Sequence, residues 1–95
     1  GVLALPTGRL PYPLTVRYRR GGETLRPLGD RHTRKLRDLF QREGVPPWER
    51  ERIPIVVDAQ DRVVAIADHW LTEEAAALFD SAGSRPVWRR IGETG

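Results

Sequence analysis

Two apolar, β-branched runs, Ile53-Pro54-Ile55-Val56-Val57-Asp58 and Val63-Val64-Ala65-Ile66-Ala67-Asp68, lie either side of the polar Ala59-Gln60-Asp61-Arg62. No other stretch of the chain is this hydrophobic, so any core must form on them. β-Branched residues favour extended backbone, and a short polar break between two such runs predicts a β-hairpin. In 95 residues there is room for one small core. Hydrophobic residues at 39% and charged residues at 31% give a globular balance rather than that of a disordered tail. No apolar run approaches the roughly 20 residues of a membrane span. The absence of Cys removes disulfides, thiol nucleophiles and sulfur-ligated zinc together, and is compatible with a reducing cytoplasm. A start at Gly1, with no Met and no signal-like apolar segment, leads us to expect an excised domain or a processed piece.

The remaining elements are short. Val2-Leu3-Ala4-Leu5 reads as a strand, after which Pro6, Gly8, Pro11 and Pro13 forbid a helix. Leu14-Thr15-Val16-Arg17-Tyr18-Arg19 alternates, which predicts a half-buried strand with Leu14, Val16 and Tyr18 inward and a basic outer face of Arg17 and Arg19. Gly21-Gly22 ends it, and the segment through Arg31, with Pro27, Gly29 and Asp30, reads as an Arg-rich loop. Thr33 is a suitable N-cap for a helix over 34–43 that carries Leu36, Leu39 and Phe40; Gly44 supplies its stop and Pro46-Pro47 bars continuation. Pro47 opens a short helical turn through Arg52, with Trp48 expected to wedge between a helix and the sheet. Thr72 and Glu73-Glu74 start a third helical segment that Gly83 and Pro86 end, and Val87 to Ile91 is the last strand. The expected fold is α+β: one domain over 1–95, mainly antiparallel, with one basic helix and one or two short helices.

Few residues offer catalytic chemistry. His32 and His69 are the only imidazoles, and neither sits at ligand spacing from another donor; the first reads as an exposed loop residue and the second as a strand-end packing residue. Ser81 and Ser84 lie in a Gly-containing segment without an adjacent base. Gly21-Gly22 lacks the Gly-Lys-Ser/Thr sequel of a phosphate-cradling loop. Glu49 and Glu51 interleave with Arg50 and Arg52 as surface ion pairs would, and Asp58, Asp61 and Asp68 occupy hairpin ends as turn formers. These residues hold no catalytic, cofactor or metal site that we would expect to function.

Charge is the informative feature. The net +3 conceals a concentration of nine bases against three acids between Arg17 and Arg42. Along a strand, side chains two residues apart on one face are about 6.6 Å apart, comparable to successive phosphates of a nucleic-acid strand. Arg17, Arg19, Arg20, Arg26, Arg31, Arg34, Lys35 and Arg37 are therefore the candidate phosphate contacts. With few aromatics interleaved, such a patch suits a folded helical backbone better than unstacked bases. The alternative is a protein-interaction module whose basic face docks on another domain or subunit.

Several uncommon words occur in order: Arg19-Arg20-Gly21-Gly22-Glu23-Thr24-Leu25-Arg26-Pro27, His32-Thr33-Arg34-Lys35-Leu36, Leu39-Phe40-Gln41, Gly44-Val45-Pro46-Pro47-Trp48-Glu49-Arg50 and Arg52-Ile53-Pro54. Together they resemble the C-terminal domain of the bacterial tRNA(Ile)-lysidine synthetase family, most strongly from Leu14 to Leu71. Asp68-His69 stand where a smaller, less charged pair is expected before Trp70. The resemblance implies a cytoplasmic parent ligase that uses ATP, with Mg, to adenylate the wobble cytidine of an isoleucine tRNA and attach lysine. Its Ser-Gly-Gly-x-Asp-Ser motif belongs to an ATP-pyrophosphatase domain absent from these residues. It implies partners too, namely the tRNA body and acceptor stem and the parent's other domains, and a fold related to a module of phenylalanyl-tRNA synthetase. This chain alone is accordingly expected neither to hydrolyse ATP nor to modify tRNA; pyrophosphate release from ATP, lysine and tRNA would overturn that.

Overall fold

A computed structural model describes residues 2–4, 13–81, 83 and 86–89. Its strands are β1 (Val2–Ala4), β2 (Thr15–Arg17), β3 (Thr24–Leu25), β4 (Arg34–Lys35), β5 (Ile55–Val57), β6 (Val63–Ile66), β7 (Trp70–Leu71) and β8 (Val87–Arg89). Its helices are α1 (Leu36–Arg42), α2 (Pro47–Arg50) and α3 (Glu73–Ser81). A four-stranded antiparallel sheet runs in the order β2-β5-β6-β7, with β3-β4 and β1-β8 as separate antiparallel ribbons. The α+β class and the mainly antiparallel sheet are as the sequence predicts.

The expected hairpin is β5 and β6. Asp58 closes its turn: one carboxylate oxygen accepts the N–H groups of Gln60 and Arg62, and the other accepts Arg62 Nε at 2.9 Å. Both strands are buried along their whole length because the sheet is covered twice. Ile55, Val57 and Ile66 pack with Leu36, Leu39 and Phe40 on the α1 side, and Val56, Val64 and Ala65 pack with Ala75 and Phe79 on the α3 side. A register shift at Val56/Val57 leaves Val64 as an extra residue, so Val64 and Ala65 both belong to the α3-side cluster. Thr72 caps α3 as expected, its hydroxyl oxygen accepting the Ala75 N–H at 3.0 Å.

Double coverage corrects the reading of the 14–19 strand. Directly paired residues share a side of a sheet, and Arg17 pairs with Ile55 while Val16 pairs with Val56. Alternation is present, but the side assigned to solvent is the α1 side. Val16 and Tyr18 are exposed on this edge strand, and the Arg17 side chain is 13% exposed.

The segment read as an Arg-rich loop contains β3, paired with β4, and the helix expected from residue 34 begins at Leu36. Lys35 is extended and offers no side-chain cap; the Glu23 carbonyl accepts the Leu36 N–H at 3.1 Å, in the role expected of Thr33. Gly44, at φ 71°, ends the helix as expected. Trp70–Leu71 adds a fourth strand that was not anticipated, and the expected last strand is described for Val87–Arg89, its remainder lying outside the described residues.

Trp48 is also corrected. It is 70% exposed on α2, a single helical turn without a buried residue. The segment is anchored at its ends instead: Val45 packs on the core, Ile53 and Pro54 are buried, and Arg50 Nε donates to the Val45 carbonyl. With little area to lose, Trp48→Ala is expected to lower stability by less than about 1 kcal/mol in urea unfolding, where a wedged Trp would cost about 3–5 kcal/mol.

Candidate nucleic-acid interface

The eight candidate cations differ in what already holds them. Arg17 is bound twice by carboxylates, at 2.9 Å to Glu23 and 3.0 Å to Asp61. Arg34 makes a two-bond contact to Asp30, with Nε at 2.9 Å and Nη2 at 3.2 Å. The Arg19 guanidinium lies over the Phe40 ring, 5.7 Å from its centroid, a cation–π contact that anchors the end of β2 to α1. These three brace the fold. Arg20 and Arg37 are exposed and reach only loosely to Asp61 at 3.9 Å and Asp38 at 3.7 Å. Arg26, Arg31 and Lys35 are exposed and make no ion pair among the described residues.

Glu23 decides how the first group is arranged. Its carboxylate accepts the backbone N–H of Arg20 at 2.6 Å and of Gly21 at 2.9 Å as well as the Arg17 guanidinium. Gly21 and Gly22 sit at φ 107° and 79°, a region that L side chains rarely adopt, and this lets the chain fold back over the acid. Burial alone would raise the Glu23 carboxyl, but the N–H donors and Arg17 outweigh it and hold it at about 2. The same contact to Glu23 is the largest influence raising Arg17. Asp30 is likewise lowered to about 2, first by the Arg34 guanidinium and then by the His32 N–H.

Arg20 and Arg26 border one depression of about 520 Å³, together with Thr24, Thr33 and the paired Arg17, Glu23 and Asp61. Lys35 is the cross-strand partner of Thr24, whereas Leu25 is buried, so Lys35 occupies the outward face of the β3-β4 ribbon beside this depression. Arg17 bonds to both acids of the depression, and one guanidinium against two carboxylates leaves a single negative charge there. Arg20, Arg26 and Lys35 outnumber it, so the face stays cationic. Arg31 lies at a second depression, together with Arg42, which was counted in the basic segment but not among the candidate contacts. Only the fold shows that pairing, since eleven residues separate the two. Exposed Trp48, assigned to the core from the sequence, is an aromatic face open to stacking.

Among the described residues no group of His, Asp and Glu could hold a metal ion, and no helix is long and apolar enough to cross a membrane. His32 is exposed in its loop, and His69 stands before β7 with its ring edge-on to Trp70 at 5.7 Å. Ser81 ends α3, and Ser84 lies outside the described residues.

Fold and site together define a small α+β domain that presents cations on a braced ribbon. The family model of the TilS substrate C-terminal domain matches residues 14–88, and the chain belongs to that family. It is 45% identical over 64 residues to a tRNA(Ile)-lysidine synthase of Methylococcus capsulatus, covering 66% of this chain and 14% of the relative. To the tRNA(Ile)-lysidine synthase of Xanthomonas campestris pv. campestris it is 40% identical, covering 77% of this chain and 18% of the relative. A Xylella fastidiosa protein of the same name is 43% identical, covering 83% of this chain and 18% of the relative. The chain thus spans less than a fifth of these relatives' length. No solved structure gives a significant match.

The Glu23 geometry fixes the sign of the acid response. A carboxyl lowered from 4.5 to about 2 stabilises the fold fully above pH 4.5, and that contribution is lost as pH falls toward 2; Asp30, lowered from 3.8, acts in the same direction. Glu23→Gln is expected to cost about 2–3 kcal/mol at pH 7, because Arg17 loses its most buried partner. It should also flatten the fall in stability between pH 5 and 2. Denaturant unfolding at several pH values measures both, and an unchanged acid limb would contradict the assignment.

Proposed function

We propose that this chain is the tRNA-binding accessory domain of a tRNA(Ile)-lysidine ligase and that it holds RNA through phosphate contacts. The observation that carries this reading is the set of exposed cations Arg20, Arg26 and Lys35 around one concave ribbon face, where Glu23 and Asp61 are already occupied by Arg17. Arg31 and Arg37 extend the cationic surface along the same segment. Guanidinium groups suit phosphates because their fork of donors matches two oxygens at once. Such contacts position an RNA without reading its sequence. The names of the relatives and membership of the family support tRNA as the partner.

The parent protein, on this reading, is cytoplasmic and uses ATP with Mg to activate the wobble cytidine of an isoleucine tRNA before lysine is attached. That chemistry belongs to the parent's N-terminal domain, and the residues of this chain bind and orient. Arg17, Arg19 and Arg34, first grouped with the phosphate contacts, serve here mainly as supports: the carboxylates and the ring they hold set the positions of Arg20, Arg26 and Lys35.

Each phosphate contact releases condensed counterions, which gives a slope of log K against log salt of roughly −0.7 to −0.9 per contact. Changing Arg20, Arg26 and Lys35 together to Gln should flatten that slope by about two units and weaken binding to tRNAs of any sequence nearly equally. All three are exposed, so the unfolding midpoint should stay within the range of ordinary surface substitutions. Titration of the wild-type chain and the triple variant against full-length tRNA at two salt concentrations makes the measurement. Indistinguishable tRNA curves, with affinity for the parent's other domains lost instead, would establish the docking module in place of RNA binding.

A further inference from the structure

A second depression, about 570 Å³, lies between the 27–32 loop and the C-terminal end of α1 and is bordered by Leu28, Asp30, Arg31, His32, Arg42 and Trp70. Its volume falls within the range of small-molecule sites, roughly 300–1,000 Å³. Two guanidinium groups reach it from different elements, Arg31 from the loop and Arg42 from the last turn of α1. Both are exposed and make no ion pair among the described residues. The acid at this rim, Asp30, is matched by Arg34 and the His32 N–H and held ionised at about 2, so it does not neutralise them.

Beside Asp30 and the exposed His32, the wall holds two large apolar side chains, Leu28 and Trp70. Leu28 is 51% exposed. Trp70 is braced edge-on by Phe40, with ring centroids 5.9 Å apart, and packs on the core. The loop is tied down by the Leu28 N–H to the Leu71 carbonyl at 2.7 Å and by the Asp30 N–H to the Pro27 carbonyl at 2.9 Å. A concavity bordered by two cations outside any ion pair among the described residues and by two large apolar side chains fits an anion that carries a flat apolar body. A paired duplex exposes its phosphates, sugars and base edges but keeps the flat faces of its bases stacked inside; a nucleotide outside the helix offers a phosphate and a free base face together.

We propose that this depression seats a single unpaired nucleotide of the bound RNA, its phosphate on Arg31 and Arg42 and its base against Leu28 and Trp70. The inference rests on the RNA-binding reading and deepens it: the ribbon face tracks paired backbone, and this seat takes the nucleotide that leaves the helix.

The probes are two RNA hairpins with the same stem, one blunt and one with a single unpaired nucleotide at its end, titrated against the wild-type chain and against Arg31→Gln/Arg42→Gln. The unpaired nucleotide should tighten wild-type binding about tenfold, and the double variant should abolish that advantage, binding the two hairpins equally even though loss of two cations weakens both. Adenosine monophosphate should shift the Trp70 indole N–H resonance of the wild type; inorganic phosphate, tested separately, should leave it in place, which separates a nucleotide seat from a bare anion site. Equal wild-type affinity for the two hairpins, with steep salt dependence for both, would overturn the nucleotide seat and leave the phosphate-binding face standing. No binding of either hairpin or of tRNA would overturn both.

Discussion

The carboxylate of Glu23 is the contact on which the arrangement of the basic surface depends. It is 7% exposed and collects two backbone N–H groups and the Arg17 guanidinium, while its own carbonyl accepts the first N–H of α1. One residue thereby ties the end of β2, the Gly21-Gly22 turn, the β3-β4 ribbon and the start of α1 to one point. An acid at such a position has a high desolvation cost that only several donors together can offset, so the turn and the arginine are required by the same buried charge. Where Arg20, Arg26 and Lys35 stand on the surface is a consequence of where that charge is held.

The central hairpin sets the second constraint. β5 and β6 are apolar on both faces because α1 covers one side and α3 the other, a pattern more familiar in parallel sheets than in antiparallel ones. Double coverage puts an edge strand such as β2 in an unusual position. Its α3-side residue Val16 stays exposed while Arg17 on the α1 side is largely covered, and that polar side chain must find partners. Arg17 finds Glu23 and Asp61, and Arg19 lies on the Phe40 ring. The cation that looked most available from the alternation of the strand is therefore among the least available in the fold.

The long signals were legible in the sequence. The hairpin, the Asp58 turn, Pro47 at the head of α2, Gly44 after α1 and the Thr72 cap each follow from a local rule that the structure obeys. The words from Arg19 to Pro54 pointed to the family before any geometry was known. Elements decided by distant contacts could not be read locally. β3 and β4 are two residues each, too short for any periodicity to register, and their pairing rests on a turn and on Glu23. α1 starts later than the local pattern predicts because the Glu23 carbonyl, thirteen residues before Leu36, serves as acceptor in place of the nearby Thr33 hydroxyl. Trp48 departs from the expectation that a large aromatic is core because Val45, Ile53 and Pro54 fill that role here.

A count of basic residues thus says little about a binding surface until the acids are assigned. Sixteen cations face thirteen acids in the whole chain, and on numbers alone the excess is small. In the folded domain the acids nearest the ribbon are withdrawn in pairs: Glu23 and Asp61 by Arg17, Asp30 by Arg34, Asp58 by Arg62. Arg34 with Asp30 and Arg62 with Asp58 each leave no net charge, whereas Arg17 with its two carboxylates leaves one negative charge. Arg20, Arg26 and Lys35 outnumber that charge, so the ribbon face stays cationic. Structural arginines therefore shape the charged surface indirectly, since by holding the acids in place they set where the exposed cations stand.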